Sequence, residues 1–200
     1  RGPHLLNAGR VVTTPGGHGH FMGLEASGPA ALTAAVEALV AEGVDFIKLI
    51  ASGGGGTPGT FPVHSQYTTE EVRAVVEAAH AAGRRVAAHA HSVEAIRCCV
   101  EGGVDSVEHV TYITAEGPRF DAELARRLAD SDTWVIPTMA CYANPVRAGL
   151  NKLFIRKIGL QDQEWLDMHA SFVRAMHALG VKIAAGTDGV QVGVGPADVH

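Results

Sequence analysis

The sequence is short of cysteine, short of charge and without a long apolar run. Its three cysteines, Cys98, Cys99 and Cys141, cannot build a disulfide framework, and no Cys-x-x-Cys spacing offers structural zinc. That usage points to a reducing compartment, and a cytoplasmic location is expected. Charged residues make up only 18% of the chain, below the ~25% of an average soluble domain. The net charge is -5, and no Lys/Arg run could track a phosphate backbone, which argues against nucleic acid as a partner. No apolar stretch reaches the ~18 residues of a membrane span. A Gly-x-Ser-x-Gly nucleophile elbow is absent, and so is a Walker Gly-Lys-Ser/Thr. The chain opens Arg1-Gly2-Pro3-His4, with no initiator Met and no charged-then-apolar leader. Such an opening is expected of a chain that begins inside a longer one.

What is present is apolar residue, glycine and histidine. Apolar residues reach 46%, which excludes disorder. The 24 glycines among 200 residues follow no period, which excludes a collagen-like chain. Two hundred residues is one domain by length. There are 11 histidines, and their positions carry more than their number.

One unit recurs along the chain: an amphipathic helix, a glycine stop, then a short apolar strand. Ala30 to Glu42 places Leu32, Val36, Leu39 and Val40 on one face and stops at Gly43. Thr68 and Glu71 form a capping box for a helix that runs to Gly83. Ser92 caps a helix ending at Gly102-Gly103, and Asp121 opens one carrying Leu124, Ala125 and Leu128. Gln163 to Leu179 has a stripe of Trp165, His169, Phe172, Met176 and Leu179. The expected strands are Leu5–Thr14, Val44–Ala51, Arg85–His89, Val104–Val110, Trp134–Met139 and Val181–Thr187. Six nearly continuous apolar strands alternating with helices predict a parallel α/β sheet. A doubly wound sheet and a (β/α)8 TIM-type barrel both fit. Either would gather its active site at the C-terminal strand ends.

Those ends carry Lys48, His89 with His91, His109 and Asp188. Two His and an Asp suit zinc, manganese or iron. A protonated Lys48 would repel a cation. Desolvation lowers a buried lysine's pKa, and the neutral amine can add carbon dioxide to give an anionic carbamate able to bridge two metals. Taken singly, each residue has a structural reading too. Lys48 could snorkel or pair with a carboxylate. His89 and His91 share a strand face and could be core residues. His109 could be structural, and Asp188 could cap a helix. Four such residues on four successive strand ends favour the joint reading.

The ordered set resembles the amidohydrolase superfamily. Phe46-Ile47-Lys48-Leu49-Ile50-Ala51-Ser52-Gly53-Gly54, His89-Ala90-His91, Gly103 to His109 and Gly186-Thr187-Asp188 look like its Xaa-Pro and Xaa-Arg dipeptidase and imidazolonepropionase-like branch. Gly16-Gly17-His18-Gly19 resembles a loop after that branch's third strand. The resemblance implies a barrel covering about strands three to eight, without the flanking β-sandwich. It implies one or two divalent ions, zinc first among them, held by Lys48 as its carbamate, His89, His109 and Asp188. It implies Asp188 as the proton shuttle, and His91 and His18 as groups touching the substrate carbonyl. The branch's first-strand His-x-His has no counterpart here.

The implied activity is hydrolysis of an amide C–N bond in a dipeptide, N-acyl amino acid or cyclic amide by a metal-held hydroxide. Two alternatives stand beside it. One is a non-catalytic or single-metal binding module. The other is a deaminase of the same superfamily, against which Lys48 argues. Tyr112 could reach the substrate or could pack, and homo-oligomerisation is left open. Gly54 to Gly59 matches Gly-x-Gly-x-x-Gly, but Pro58 and Pro62 follow where a dinucleotide site needs a helix. Ser52 to Gln66 therefore reads as an active-site lid or a merely flexible loop. His4, His20, His64, His80, His169, His177 and His200 receive no role.

Overall fold

A computed structural model describes residues 2–147 and 158–188. Seven strands form one sheet: β1 (Val11–Thr13), β2 (Gly23–Glu25), β3 (Phe46–Ile50), β4 (Arg85–Ser92), β5 (Ser106–Thr114), β6 (Gly117–Pro118) and β7 (Trp134–Ile136). Among the described residues six α-helices accompany them: α1 (Pro29–Ala41), α2 (Thr69–Ala81), α3 (Val93–Gly102), α4 (Ala122–Asp130), α5 (Met139–Arg147) and α6 (Asp162–Ala178). No helix among the described residues is long and apolar enough to cross a membrane.

Strand order decides between the two architectures. From β1 the parallel sheet adds β3, β4, β5 and β7 in chain order, always on the same side. A further parallel bridge joins Val135 to Ile183. A doubly wound sheet would reverse direction partway. The helix-linked strands of this sheet do not; the three-residue β2 lies on the other side of β1 but is joined to it without an α-helix, so the sheet is part of a TIM-type barrel wall.

The local reasons for the helices are those the sequence offered. Thr68 and Glu71 make a reciprocal capping box at α2. Ser92 accepts from Ala95 N–H at α3, and Asp121 from Leu124 N–H at α4. Each such cap contributes about 1 kcal/mol. The helices bury Leu32, Val36, Leu39, Val72, Val75, Ile96, Leu128 and Met176 against Ile47, Leu49, Val86, Ala88, Val107 and Val135 of the strands. All of these are 0% exposed.

Several boundaries differ from expectation. The first strand is only Val11–Thr13, because Leu5 and Leu6 are exposed and have no partner strand to pack on. β2, β6 and α5 were not anticipated. β2 pairs parallel with β1, and β6 folds back antiparallel on Ile113 and Thr114. β4 runs on to Ser92 and β5 to Thr114, so His91 lies inside β4 rather than after it, while His109 is within β5 as expected. β7 stops at Ile136, and the expected last strand is reduced to the Ile183 bridge. Gly189 and His200 lie outside the described residues.

Register fixes the inward face. Ile50 pairs with His89, His89 with Glu108, and Glu108 with Ile136. Side chains alternate along a strand, so Lys48, two residues before Ile50, shares that face. Ile47, Leu49, Ala88 and Val107 point the other way, into the core beneath the helices.

Candidate metal centre and active site

Four histidines converge at the C-terminal end of the sheet. Ring centroids lie 4.5 Å apart for His89 and His91, 4.6 Å for His89 and His109, and 4.5 Å for His91 and His109. His18, from the loop between β1 and β2, stands 4.9 Å from His89. One donor nitrogen each from His89, His91 and His109 falls within 4.8 Å of the others. All four side chains are buried.

Strict alternation would not bring His109 here. It pairs with Ala90, a residue of the core under the helices. The positive φ values of His109 (72°) and Val110 (47°) break the alternation and turn the ring inward. Among the described residues, the non-glycine positions with positive φ are His109, Val110, Tyr112, Thr138 and Asp188. They lie on β5 or beyond the strand ends, where strained backbone of order 1–2 kcal/mol per residue commonly serves a site.

Burial holds His89, His91 and His109 neutral. Desolvation pushes His89 well below its ordinary range, and the neighbouring His91, His109, His18 and Lys48 push it further. Burial dominates for His91 and His109 as well. Three neutral imidazoles in a dry cluster present lone pairs, which is the state a cation needs. The donor set suits zinc or a related divalent ion.

Threonines fix the rings. His91 Nδ1 lies 3.0 Å from Thr111 Oγ1, and that hydroxyl donates to the His91 carbonyl at 3.2 Å. With its proton so committed, Thr111 accepts from Nδ1–H, and His91 keeps its lone pair on Nε2. His109 Nδ1 meets Thr138 Oγ1 at 2.7 Å, and His18 Nδ1 meets Thr57 Oγ1 at 2.9 Å. His89 Nε2 faces the Gly53 carbonyl at 3.4 Å. A nitrogen facing a carbonyl carries the proton, which leaves Nδ1 as the donor of His89. His169, fully buried on α6, donates from Nε2 to the His109 carbonyl at 3.1 Å.

The glycine-rich loop is packed against the site. A Cβ on Gly54 would meet His18 Nε2 at 2.4 Å, and one on Gly53 would meet the Phe61 carbonyl oxygen at 2.1 Å. Gly53 N–H bonds the His64 carbonyl, Gln66 N–H bonds Ala51, and Thr57 is 2% exposed. The segment is a tied wall over His18. No helix begins until Thr69, which agrees with the rejection of a dinucleotide site.

The remaining expected residues fall out differently. Lys48 is ion-paired with Glu108, and both side chains are largely buried. The lysine thus has the paired environment that was its structural reading, on the same face as His89. Asp188 lies with Cys141 and His109 as a second compact donor group. Tyr112 takes the packing one of its two readings rather than the substrate-binding one. It is fully buried, its ring packs on Phe120 and Phe172, and it belongs to the core. β5 changes face between His109 and Tyr112, so nearness in sequence did not carry Tyr112 to the site. His80 pairs with Asp105 at the surface.

The sequence reading passed over Glu108, His169, Thr111, Thr138 and Cys141. His169 could have been found, since a polar residue in the apolar stripe of α6 must bond something when buried. The threonines gave no pattern, because their partners are 20 to 39 residues away.

A partial TIM-type barrel thus gathers buried histidines, an aspartate and a lysine at its C-terminal strand ends, the place where such barrels carry their active sites. The chain matches the amidohydrolase family over residues 2–198 and belongs to it. It is 24% identical over 220 residues to ochratoxinase of Aspergillus niger, a match covering 94% of this chain and 42% of that protein. The crystal structure of a Xaa-Pro dipeptidase with bound methionine superposes with a TM-score of 0.76 at 29% identity, covering 94% of this chain and 48% of that one. That of an amidohydrolase gives 0.78 at 28% identity, covering 98% and 50%. The chain thus spans half or less of the length of these relatives.

Proposed function

We propose that this chain carries the site of a metal-dependent hydrolase that cleaves an amide bond of a small substrate. The substrate class is a dipeptide, an N-acyl amino acid or a cyclic amide. The observation that carries the reading is the His89–His91–His109 group, buried, neutral and compact. Family membership supports it, and a dipeptidase and ochratoxinase are among the similar proteins.

His89 and His109 would hold the cation, and the lone pair on His91 Nε2 makes that residue a third donor rather than an oxyanion donor. Lys48 would join them once its amine loses a proton, adds carbon dioxide and leaves Glu108. A bound divalent ion supplies Lewis-acid polarisation of the scissile carbonyl and a lowered pKa for water. Asp188 accepts the proton of the attacking water and returns it to the leaving nitrogen. His18, in the tautomer with Nε2–H, donates to the developing oxyanion. The wall of Gly53 to Thr60 keeps bulk water from His18.

The test is turnover of a panel of dipeptides and N-acyl amino acids with and without zinc. The expected result is chelator-sensitive hydrolysis that Asp188→Asn lowers by about 10²–10⁴-fold, the usual weight of a proton-transfer group. Wild-type turnover by Asp188→Asn overturns the mechanism. Binding of zinc with no hydrolysis by the full-length protein would favour the binding-module reading.

A further inference from the structure

A second set of metal-type donors adjoins the first. His109, Cys141 and Asp188 each bring one donor atom, and these lie within 4.8 Å of one another. They come from three elements: β5, the first turn of α5 and the segment after the Ile183 bridge. Cys141 is 7% exposed and sits beside Ile113, Tyr142 and Trp165. Its backbone N–H is held by the Thr138 carbonyl at 3.0 Å, and the Thr138 hydroxyl holds His109 Nδ1. Thr138 thereby ties Cys141 and His109 into one unit. The Tyr142 hydroxyl comes within 3.5 Å of His109 Nδ1, and the charge of Asp188 is felt at that same hydroxyl. Nitrogen, thiolate and carboxylate together are a softer set than three imidazoles, and zinc accepts all three.

We propose that Cys141 is a metal donor of this site, completing with His109 and Asp188 a second cation seat beside the three histidines. The inference rests on the reading of the site as a metal centre. On ligation the Cys141 thiol gives up its proton to solvent as the sulfur–metal bond forms. A neutral imidazole with Nδ1 already bonded to Thr138 has one donor nitrogen, so His109 serves one seat at a time. When His89 and His91 hold one cation, His109 is the donor that joins Cys141 and Asp188 in holding another.

Cobalt(II) added to the metal-free chain is the probe, followed by absorption spectroscopy. The expected spectrum has visible ligand-field bands together with a near-ultraviolet thiolate-to-cobalt band. Cys141→Ser is expected to lose the near-ultraviolet band entirely and to keep the visible ones. Ligand-field bands in the wild type with no thiolate band overturn this proposal alone. No cobalt spectrum at all overturns the metal reading and this proposal with it. Should Cys141→Ser fail to fold, Cys98→Ala/Cys99→Ala carries the test, because Cys141 is then the sole thiol. Retention of the band there supports the proposal, and its disappearance overturns it.

Discussion

His169 donates a hydrogen bond from Nε2 to the backbone carbonyl of His109 at 3.1 Å, across 60 residues of sequence. The bond ties α6 to the strand residue whose φ of 72° aims its ring into the histidine cluster. Burial pushes His169 down to about 4, so it makes this bond as a neutral ring. His169 touches no site ring nitrogen. It acts on the site by holding the backbone that holds His109.

Replacing His169 with Phe keeps the volume and removes the donor. The His109 carbonyl is then buried without its partner, which costs about 1–3 kcal/mol. Zinc affinity is expected to fall about 10–100-fold, the usual range for groups that orient a ligand. Calorimetric titration with zinc, on protein shown to be folded by circular dichroism, measures this. Unchanged affinity would mean that His109 is held by its strand alone.

Gly54 allows His18 its position. A methyl group at residue 54 would stand 2.4 Å from His18 Nε2, so Gly54→Ala must displace the ring. The three atoms nearest that methyl group all belong to the His18 ring. The variant is therefore expected to bind zinc as the wild type does and to lose kcat by about 10²-fold, the weight of one oxyanion donor. Equal losses in zinc binding and in kcat would show that the loop supports the whole cluster.

Much of this was legible because it is local. Capping boxes, glycine stops and apolar strands are written within a few residues, and Thr68, Ser92 and Asp121 cap where their spacing says they should. Lys48, His89, His109 and Asp188 were visible because parallel strands carry their chemistry at one end. The misses are non-local. Glu108 follows the strand alternation and reaches Lys48 across the barrel face, whereas His109 departs from it. Tyr112 follows the change of face into the core, and no pattern of residue types announces positive φ at His109. Cys141 lies past a strand that ends earlier than its apolar run suggested.

The buried histidines also set the pH dependence of the metal-free fold. Their pKa values are lowered on folding, so the unfolded chain takes up protons first as pH falls. Their stabilisation is complete above the unfolded value of 6.5 and is lost as pH drops below it. For His169 the loss runs from 6.5 down to about 4. At about 1.4 kcal/mol per pKa unit, it amounts to about 3 kcal/mol for that residue. Urea melts of the metal-free chain at pH 7.5 and 5 (chosen to be about one unit or more on either side of 6.5) are expected to show a lower midpoint at the acid value. An equal or higher midpoint at the acid value would contradict neutral burial.

The central claim is that His89, His91 and His109 form a metal centre. Zinc content by mass spectrometry, after dialysis of the folded chain against a zinc buffer, addresses it most directly. The account predicts stoichiometric zinc in the wild type and in Cys141→Ser, and its loss in His89→Ala/His91→Ala/Cys141→Ser, with circular dichroism unchanged. Zinc retained by that triple variant, or none bound by the wild type, would contradict it.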